Sequence, residues 1–283
     1  MPARRIWLFL LLAWLGYLSA GTLIELFRRA HPTAPSQASY RLRATGPIPA
    51  LPWRNLPTVE VGGRSAPVPG QGMTGTAFAL PTTGTWATAR HVVDGCRLIA
   101  LEIAQERHRV TDVIVPLRGD VAVVLTDGSK GVELGLGALA GKMRGSELPV
   151  FALGYPRSRS GAVIARFIEE VVVDSGYGRV LGAVWAVDRR PLWQRDEDHL
   201  GGISGGPVVD GAGLVRGIAV GGNPRRRWLI TVDPRYATEP AAAAVQRPQR
   251  PARGPLSVTP GLVDAINERL QAQGSIGRVL CVY

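Results

Sequence analysis

Short apolar runs separated by glycine- and proline-rich breaks make up the chain from Val59 to Val232. Runs of this length, rich in valine and bounded by turn residues, are typical of β-strands rather than of helices. The pattern therefore predicts an all-β domain of the sandwich or barrel class. The predicted strands lie at 76–80, 86–93, 98–103, 110–115, 121–125, 149–153, 163–173, 180–187, 207–209, 214–220 and 228–232.

The pattern changes after the last predicted strand. Residues 233–256 are rich in alanine, proline and arginine, and they are predicted to form a surface insertion. Beyond them, three apolar residues recur at intervals of four, and this spacing predicts a helix over 262–272. The buried face of that helix is predicted to carry Leu262, Ile266 and Leu270.

An uncharged apolar run occupies residues 6–24. As a helix it is roughly 28 Å long, close to the thickness of a bilayer core. We expect residues 1–30 to form an uncleaved membrane anchor with its N terminus inside; a cleaved export signal is the alternative, with a site at Ser19–Ala20–Gly21. The proline-rich residues 31–57 are predicted to be a semi-extended tether, which leaves 58–283 as the folded domain.

The net charge of +11 is a feature shared with nucleic-acid-binding proteins. Lysine occurs only at positions 130 and 142, so nearly all of the 33 basic residues are arginines, and these are scattered over the whole chain. The sequence contains neither a basic helix nor the spacing of zinc ligands. It therefore predicts no nucleic-acid partner and no metal site.

A run of small residues surrounds Ser204 in the segment 199–209. Glycines at this density favour a tight loop, and they permit backbone angles that let several N–H groups converge on one point. Such a loop suits a serine nucleophile whose oxyanion is stabilised by main-chain donors. A glycine-rich turn without a catalytic role is the alternative interpretation.

A serine nucleophile requires a histidine base and a carboxylate that orients the base. Of the four histidines, His31 lies in the proline-rich segment, His108 in a polar run and His199 inside the serine loop. His91 ends an apolar, strand-like run and is the candidate base. Asp120 precedes the apolar run 121–125, so we expect its carboxylate to be partly buried.

Three motifs resemble, in order, the catalytic motifs of trypsin/chymotrypsin-like serine peptidases of the compact bacterial type: Thr88–Ala89–Arg90–His91, Gly119–Asp120–Val121–Ala122–Val123 and Gly202–Ile203–Ser204–Gly205–Gly206–Pro207. The resemblance covers roughly residues 58 to 275. It implies two antiparallel six-stranded β-barrels with a C-terminal helix, and an active site in the cleft between the barrels.

The resemblance also implies roles for single residues. Ser204 would be the nucleophile, His91 the general base and then acid, and Asp120 the group that holds the imidazole tautomer. The N–H groups of Gly202 and Ser204 would form the oxyanion hole, and no cofactor is required. Ile203 stands where many animal members have an aspartate, and Arg90, beside the base, has to point away from it.

The resemblance places Asp198 at the base of the pocket for the substrate side chain that precedes the cut. Val220, Gly221 and Gly222 would form the pocket wall, although this strand lacks the serine that often supports the catalytic aspartate. A carboxylate at the base predicts cleavage after arginine or lysine. Alternatively, the acidic run is a solvated turn, the alignment shifts onto His199, or Arg225–Arg227 faces the cleft and repels basic substrates.

The expected function is that of a serine endopeptidase that cleaves protein or peptide substrates. We expect a single-pass protein of the bacterial cytoplasmic membrane with its protease domain on the periplasmic or extracellular side, or a secreted protein if the signal is cleaved. A membrane-anchored, catalytically silent peptide-binding module is the alternative. Cys96 and Cys281 could form one disulfide in an exported protein, or remain as two buried thiols.

Overall fold

The computed structural model of the chain describes residues 40–45, 55–62, 72–127, 131–136, 148–189, 200–245, 247 and 256–283. They belong to one compact unit, Ser39–Tyr283. The predicted membrane segment 1–30 lies outside the described residues. None of the helices in the described ranges combines the length and the hydropathy needed to span a bilayer.

Six antiparallel strands close the first barrel, in the order β6-β5-β14-β3-β4-β7, and β7 pairs with β6 to complete the circle. Large apolar side chains such as Phe78, Trp86 and Ile99 are fully buried in it. The strands are β3 (Gly72–Ala79), β4 (Thr85–Thr88), β5 (Leu98–Ile103), β6 (Glu106–Pro116), β7 (Ala122–Thr126) and β14 (Ile276–Val282).

The second barrel also closes with six antiparallel strands, in the order β10-β13-β12-β11-β8-β9, and β9 pairs with β10. In its interior the indole N–H of Trp185 donates to Thr231 Oγ1 at 2.8 Å. The strands are β8 (Val150–Gly154), β9 (Gly161–Asp174), β10 (Arg179–Arg189), β11 (Pro207–Val209), β12 (Val215–Asn223) and β13 (Trp228–Val232). The prediction of an all-β protein with two six-stranded barrels is confirmed.

Two short outer strands pair in parallel with the barrels. Strand β1 (Arg41–Thr45) lies beside β6, and β2 (Thr58–Glu60) lies beside β9. The Nε atoms of Arg41 and Arg43 lie 3.3 and 3.2 Å from Oδ1 of Asp112 in β6. Strand β1 falls within the predicted tether 31–57, so the folded unit includes part of that segment.

The C-terminal strand β14 lies in the first barrel, between β3 and β5. Its side chains alternate, with Ile276, Val279 and Cys281 buried and Arg278 and Leu280 more exposed. Such alternation is typical of a strand with one face on a core. This strand was not predicted, since the C-terminal helix was expected to be the last element of the fold.

Three α-helices accompany the barrels in the described part of the chain. Helix α1 (Arg90–Val93) is a single turn, so the predicted strand 86–93 is wrong in its second half. Helix α2 (Arg235–Ala244) begins the segment 233–256, and it packs on β4, β6 and β7. Because its Tyr236, Ala237 and Ala241 are buried, the prediction of a surface insertion is wrong for this part.

Helix α3 (Val263–Ala272) confirms the predicted helix at 262–272. Its buried face differs from the prediction, because Val263, Asn267 and Leu270 are buried while Leu262 is 56% exposed. A search for apolar residues does not detect this face, because one of its buried residues, Asn267, is polar. The side-chain amide of Asn267 donates to the oxygens of Gly154 and Ser160 at 3.4 and 3.2 Å, which explains its burial.

A disulfide joins Cys96, just after α1, to Cys281 in β14. The two residues are 185 positions apart in sequence and 5.5 Å apart at their Cα atoms. The predicted pairing is confirmed, and the alternative of two free thiols is wrong. The crosslink holds the strand that completes the first barrel to the segment that carries His91.

Reduction of this disulfide, or the variant Cys96→Ser, should lower the free energy of unfolding by about 2–5 kcal/mol. The reason is that the crosslink removes loop-closure entropy from the unfolded chain, and the closed loop is long. Urea unfolding of oxidised and reduced protein measures the difference. Two thiols that react with an alkylating agent in the native, non-reduced protein would contradict the pairing.

Candidate active site

His91 and Asp120 are joined by two hydrogen bonds. The main-chain N–H of His91 donates to Oδ1 of Asp120 at 2.8 Å, and its ring Nδ1 donates to Oδ2 at 2.6 Å. Because a carboxylate accepts and does not donate, the second bond places the proton on Nδ1 and leaves Nε2 as an acceptor. The Asp120 side chain is 3% exposed and that of His91 is 28% exposed, so only the ring reaches solvent.

The turn before Asp120 is held by the second barrel. Gly119 adopts a φ of 94° in this turn, and its N–H donates to the carbonyl of Tyr177 at 3.0 Å. A Cβ atom at Gly119 would collide with the side chain of Val180 in β10. The predicted burial of Asp120 is therefore confirmed, and both barrels contribute to its position.

The guanidinium of Arg90 stacks on Tyr177, with Cζ 4.5 Å from the ring centroid. The Tyr177 hydroxyl in turn donates to Oδ2 of Asp94 at 3.0 Å. Arg90 therefore packs against the hairpin of the second barrel, as its position beside the base requires. This contact adds a second link between the barrels close to His91.

The serine loop leads into β11 and is anchored by Ile203. This side chain is 2% exposed and packs in the apolar cluster of the second barrel. Gly202 and Gly205 adopt φ angles of 93° and 85°, which residues with a Cβ atom rarely adopt. Burial of Ile203 thus anchors the loop. An aspartate stands at this position in many animal peptidases of the family that the sequence resembles.

The carbonyl before the Gly202 N–H and the carbonyl of Gly202 itself are both held by hydrogen bonds. The carbonyl of Gly201 accepts from the N–H of Arg157 at 2.5 Å, and the carbonyl of Gly202 accepts from Thr76 Oγ1 at 2.8 Å. The N–H of a trans peptide points away from the carbonyl of the same peptide. The Gly202 N–H is therefore directed away from Arg157.

The N–H of Ser204 is fixed in the same way. The carbonyl of Ile203, which belongs to the same peptide, accepts from the N–H of Gly206 at 2.8 Å. Within the described part of the chain, the N–H groups of Gly202 and Ser204 donate to no acceptor. Two main-chain donors therefore remain available beside the Ser204 hydroxyl.

The serine loop packs directly on the strand that leads to His91. A Cβ atom at Gly205 would collide with the side chain of Thr88 and the main chain of Ala89. The structure brings the loop to the His91–Asp120 pair in this way. No hydrogen bond between Ser204 and His91 is found among the described residues.

A cavity of about 210 Å³ opens beside Ser204. Of the three residues predicted to form the pocket wall, Gly221 and Gly222 line this cavity, whereas Val220 is buried and is not part of the lining. Asp198 lies outside the described residues. The other lining residues are Leu200, Gly201, Ile203, Ser204, Asn223, Pro224 and Trp228, and most of them are apolar.

Trp228 lines the cavity but was not predicted as a pocket residue, and the arginines before it, Arg225–Arg227, were considered only as one run. The guanidinium of Arg226 lies 4.7 Å from the ring centroid of Trp228, and Arg227 Nη2 donates to the carbonyl of Asp188 at 3.2 Å. The sequence signal for Trp228 was its position as an aromatic residue at the start of β13, directly after the turn that carries the arginines. Arg226 thus packs at the edge of the cavity through Trp228.

No protein-family model matches this sequence, and no curated protein matches it significantly. Among solved structures, the active form of the Rv3671c protease from M. tuberculosis is similar, with a TM-score of 0.50 and 17% identity over 72% of this chain and 96% of that chain. The chain has the trypsin/chymotrypsin-like peptidase fold. The HtrA-type protease AlgW with a decapeptide gives a TM-score of 0.44 and 18% identity over 56% of this chain and 47% of that chain. The NS6 protease of murine norovirus 1 gives a TM-score of 0.37 and 18% identity over 61% and 90%.

Asp120 is supported without the serine that the resemblance leads one to expect on β12. Val220 contributes no hydroxyl, and both carboxylate oxygens of Asp120 bond to His91. Among the described residues, these are the hydrogen bonds that the Asp120 carboxylate makes. The main-chain N–H of His91 therefore orients the Asp120 carboxylate, and the carboxylate in turn holds the His91 ring.

Proposed function

We propose that this protein is a serine endopeptidase that uses Ser204, His91 and Asp120. The observation that carries the proposal is the doubly bonded, buried Asp120 behind His91, at the place where the serine loop packs on β4. The two available N–H groups of the loop supply the donors that an oxyanion needs.

In the proposed mechanism, Ser204 Oγ attacks the scissile carbonyl carbon while His91 Nε2 takes the hydroxyl proton. The imidazolium that forms is stabilised by the Asp120 carboxylate. The oxyanion accepts hydrogen bonds from the N–H groups of Gly202 and Ser204. When the C–N bond breaks, His91 gives the proton to the departing amine and an acyl-enzyme remains.

A water molecule then attacks the acyl carbon while His91 takes one of its protons. Collapse of the second tetrahedral intermediate breaks the bond to Ser204 Oγ, which receives the proton back from His91. The products are a peptide amine and a carboxylic acid. We expect the hydrogen bond between Ser204 and His91 to form when substrate closes the site, since such bonds are often long in free enzymes.

Wild-type protein should react covalently with a fluorophosphonate probe, and Ser204→Ala should not. Loss of the nucleophile should cost on the order of 10⁶ in turnover, and Asp120→Asn about 10⁴, because the asparagine favours the wrong imidazole tautomer. Ser175→Ala is the matched control, since it removes another buried serine hydroxyl, and it should label normally. An unlabelled but folded wild type would favour the silent peptide-binding module.

The pocket proposal is cleavage after arginine or lysine, with Asp198 at the base of the cavity beside Ser204. An apolar wall of Leu200, Ile203 and Trp228 suits the aliphatic stem of such a side chain. Peptide-library profiling should show this preference, and Asp198→Ser should abolish it while fluorophosphonate labelling persists. A wild-type preference for apolar residues would contradict the proposal, since the wall alone would then set specificity.

The proposed location is the outer face of the cytoplasmic membrane, with residues 6–24 as the anchor. Protease added to spheroplasts should cleave the tether on the N-terminal side of β1 and release the folded domain, because a periplasmic tether is accessible from outside. A cytoplasmic marker protein, intact throughout, is the control. Protection of the tether until the cells are lysed would contradict this orientation.

A further inference from the structure

Thr76 of β3 lies beneath the serine loop and is fully buried. Its N–H donates to the carbonyl of Ser204 at 2.8 Å, and its hydroxyl donates to the carbonyl of Gly202 at 2.8 Å. The same hydroxyl accepts from the N–H of Tyr155 at 3.0 Å. The polar groups of this one residue thus contact the loop on both sides of Ile203.

We propose that Thr76 is a positioning residue that fixes the oxyanion donors of the serine loop. The inference rests on the proposed peptidase function. Glycines lose more conformational freedom than other residues when they are ordered, so a loop built from them needs bonds from outside to hold one conformation. The bond from Thr76 Oγ1 holds the peptide that follows Gly202, and the bond from its N–H holds the peptide that follows Ser204.

The Thr76 hydroxyl has a single possible orientation. A hydroxyl carries one proton, and the Tyr155 N–H occupies one of its acceptor positions. A carbonyl accepts and does not donate, so the proton is committed to Gly202. The β-branched side chain is stiff at χ1, and its methyl group lies where a Cβ atom on Gly154 or Gly206 would touch it. The bonds from Thr76 hold the peptides next to the two donor peptides, which are themselves held by the N–H groups of Arg157 and Gly206. Together these bonds position the donors before substrate arrives, as electrostatic preorganisation requires.

Thr76 also connects the loop to the base. Its carbonyl accepts from Thr88 Oγ1 at 2.7 Å, and Thr88 ends the strand that leads to His91. Its neighbour Ala77 pairs with Thr88 across β3 and β4. Thr76 therefore sets the position of the donors relative to His91, and a glycine, alanine or valine at this position could not supply the hydroxyl.

The test compares Thr76→Val, Thr76→Ser and the wild type. Valine keeps the shape and removes the hydroxyl, so kcat should fall about tenfold to a hundredfold, less than the loss of a whole oxyanion donor. KM should change by less than about threefold, because the donors act on the transition state. The fluorophosphonate labelling rate should fall in parallel with kcat, and Thr76→Ser should restore most of both.

Thr231→Val is the matched control. It also removes a fully buried threonine hydroxyl that holds a hydrogen bond, the one from Trp185, but it lies in the interior of the second barrel. Both valine variants should unfold at lower urea concentration than the wild type. Only Thr76→Val should lower kcat in the folded protein, because a merely structural threonine would affect stability alone.

A folded Thr76→Val that keeps the wild-type kcat and labelling rate would overturn the inference. If this variant does not fold, Thr76→Ala replaces it, because alanine adds no volume; equal kcat in the alanine and serine variants would then overturn the inference. Failure of the proposed function is a separate result. In that case the wild type itself does not label, whatever stands at position 76.

Discussion

The pairing of β14 with β3 and β5 is the interaction on which the rest of the structure depends. Without it, β3 and β5 would each present a row of unpaired main-chain groups, and the first barrel would stay open. Strand β3 carries Thr76, and its other edge pairs with β4, which leads to His91. The Cys96–Cys281 disulfide fixes the same strand to the segment after α1.

The proposed site is divided between the barrels, and small contacts align its halves. The first barrel supplies His91 and Asp120, and the second supplies the serine loop. The Gly119–Tyr177 and Thr76–Ser204 main-chain hydrogen bonds join them. Because each bond ties a turn of one barrel to the other barrel, the relative position of base and nucleophile is set by main-chain geometry rather than by long flexible side chains.

The valine-rich runs were sufficient to predict an all-β domain, because strand patterns are local signals. The two barrels and the His91–Asp120 pair were predicted from the resemblance of three ordered motifs to a known family. Strand β14 has a local alternation of buried and more exposed residues, but its pairing could not be foreseen, since its partner β3 lies about 200 residues earlier in the chain. Helix α2 was hidden by its alanine- and proline-rich composition, and the buried face of α3 by Asn267. The sequence pattern predicts Thr76 only as a strand residue, because its proposed role depends on its contacts with the distant serine loop.

The position of β14 also determines the order in which the protein can fold. The second barrel is built from strands between Val150 and Val232, so it can close while later residues are still being synthesised. The first barrel has to wait for β14, and such long-range pairing is slow to form. The strands that hold His91 and Thr76 are therefore not fully enclosed until β14 has been made and has paired with β3 and β5. A chain without β14 would carry its serine loop on a finished barrel and His91 on an unfinished one, so the proposed site would be complete only after β14 has paired.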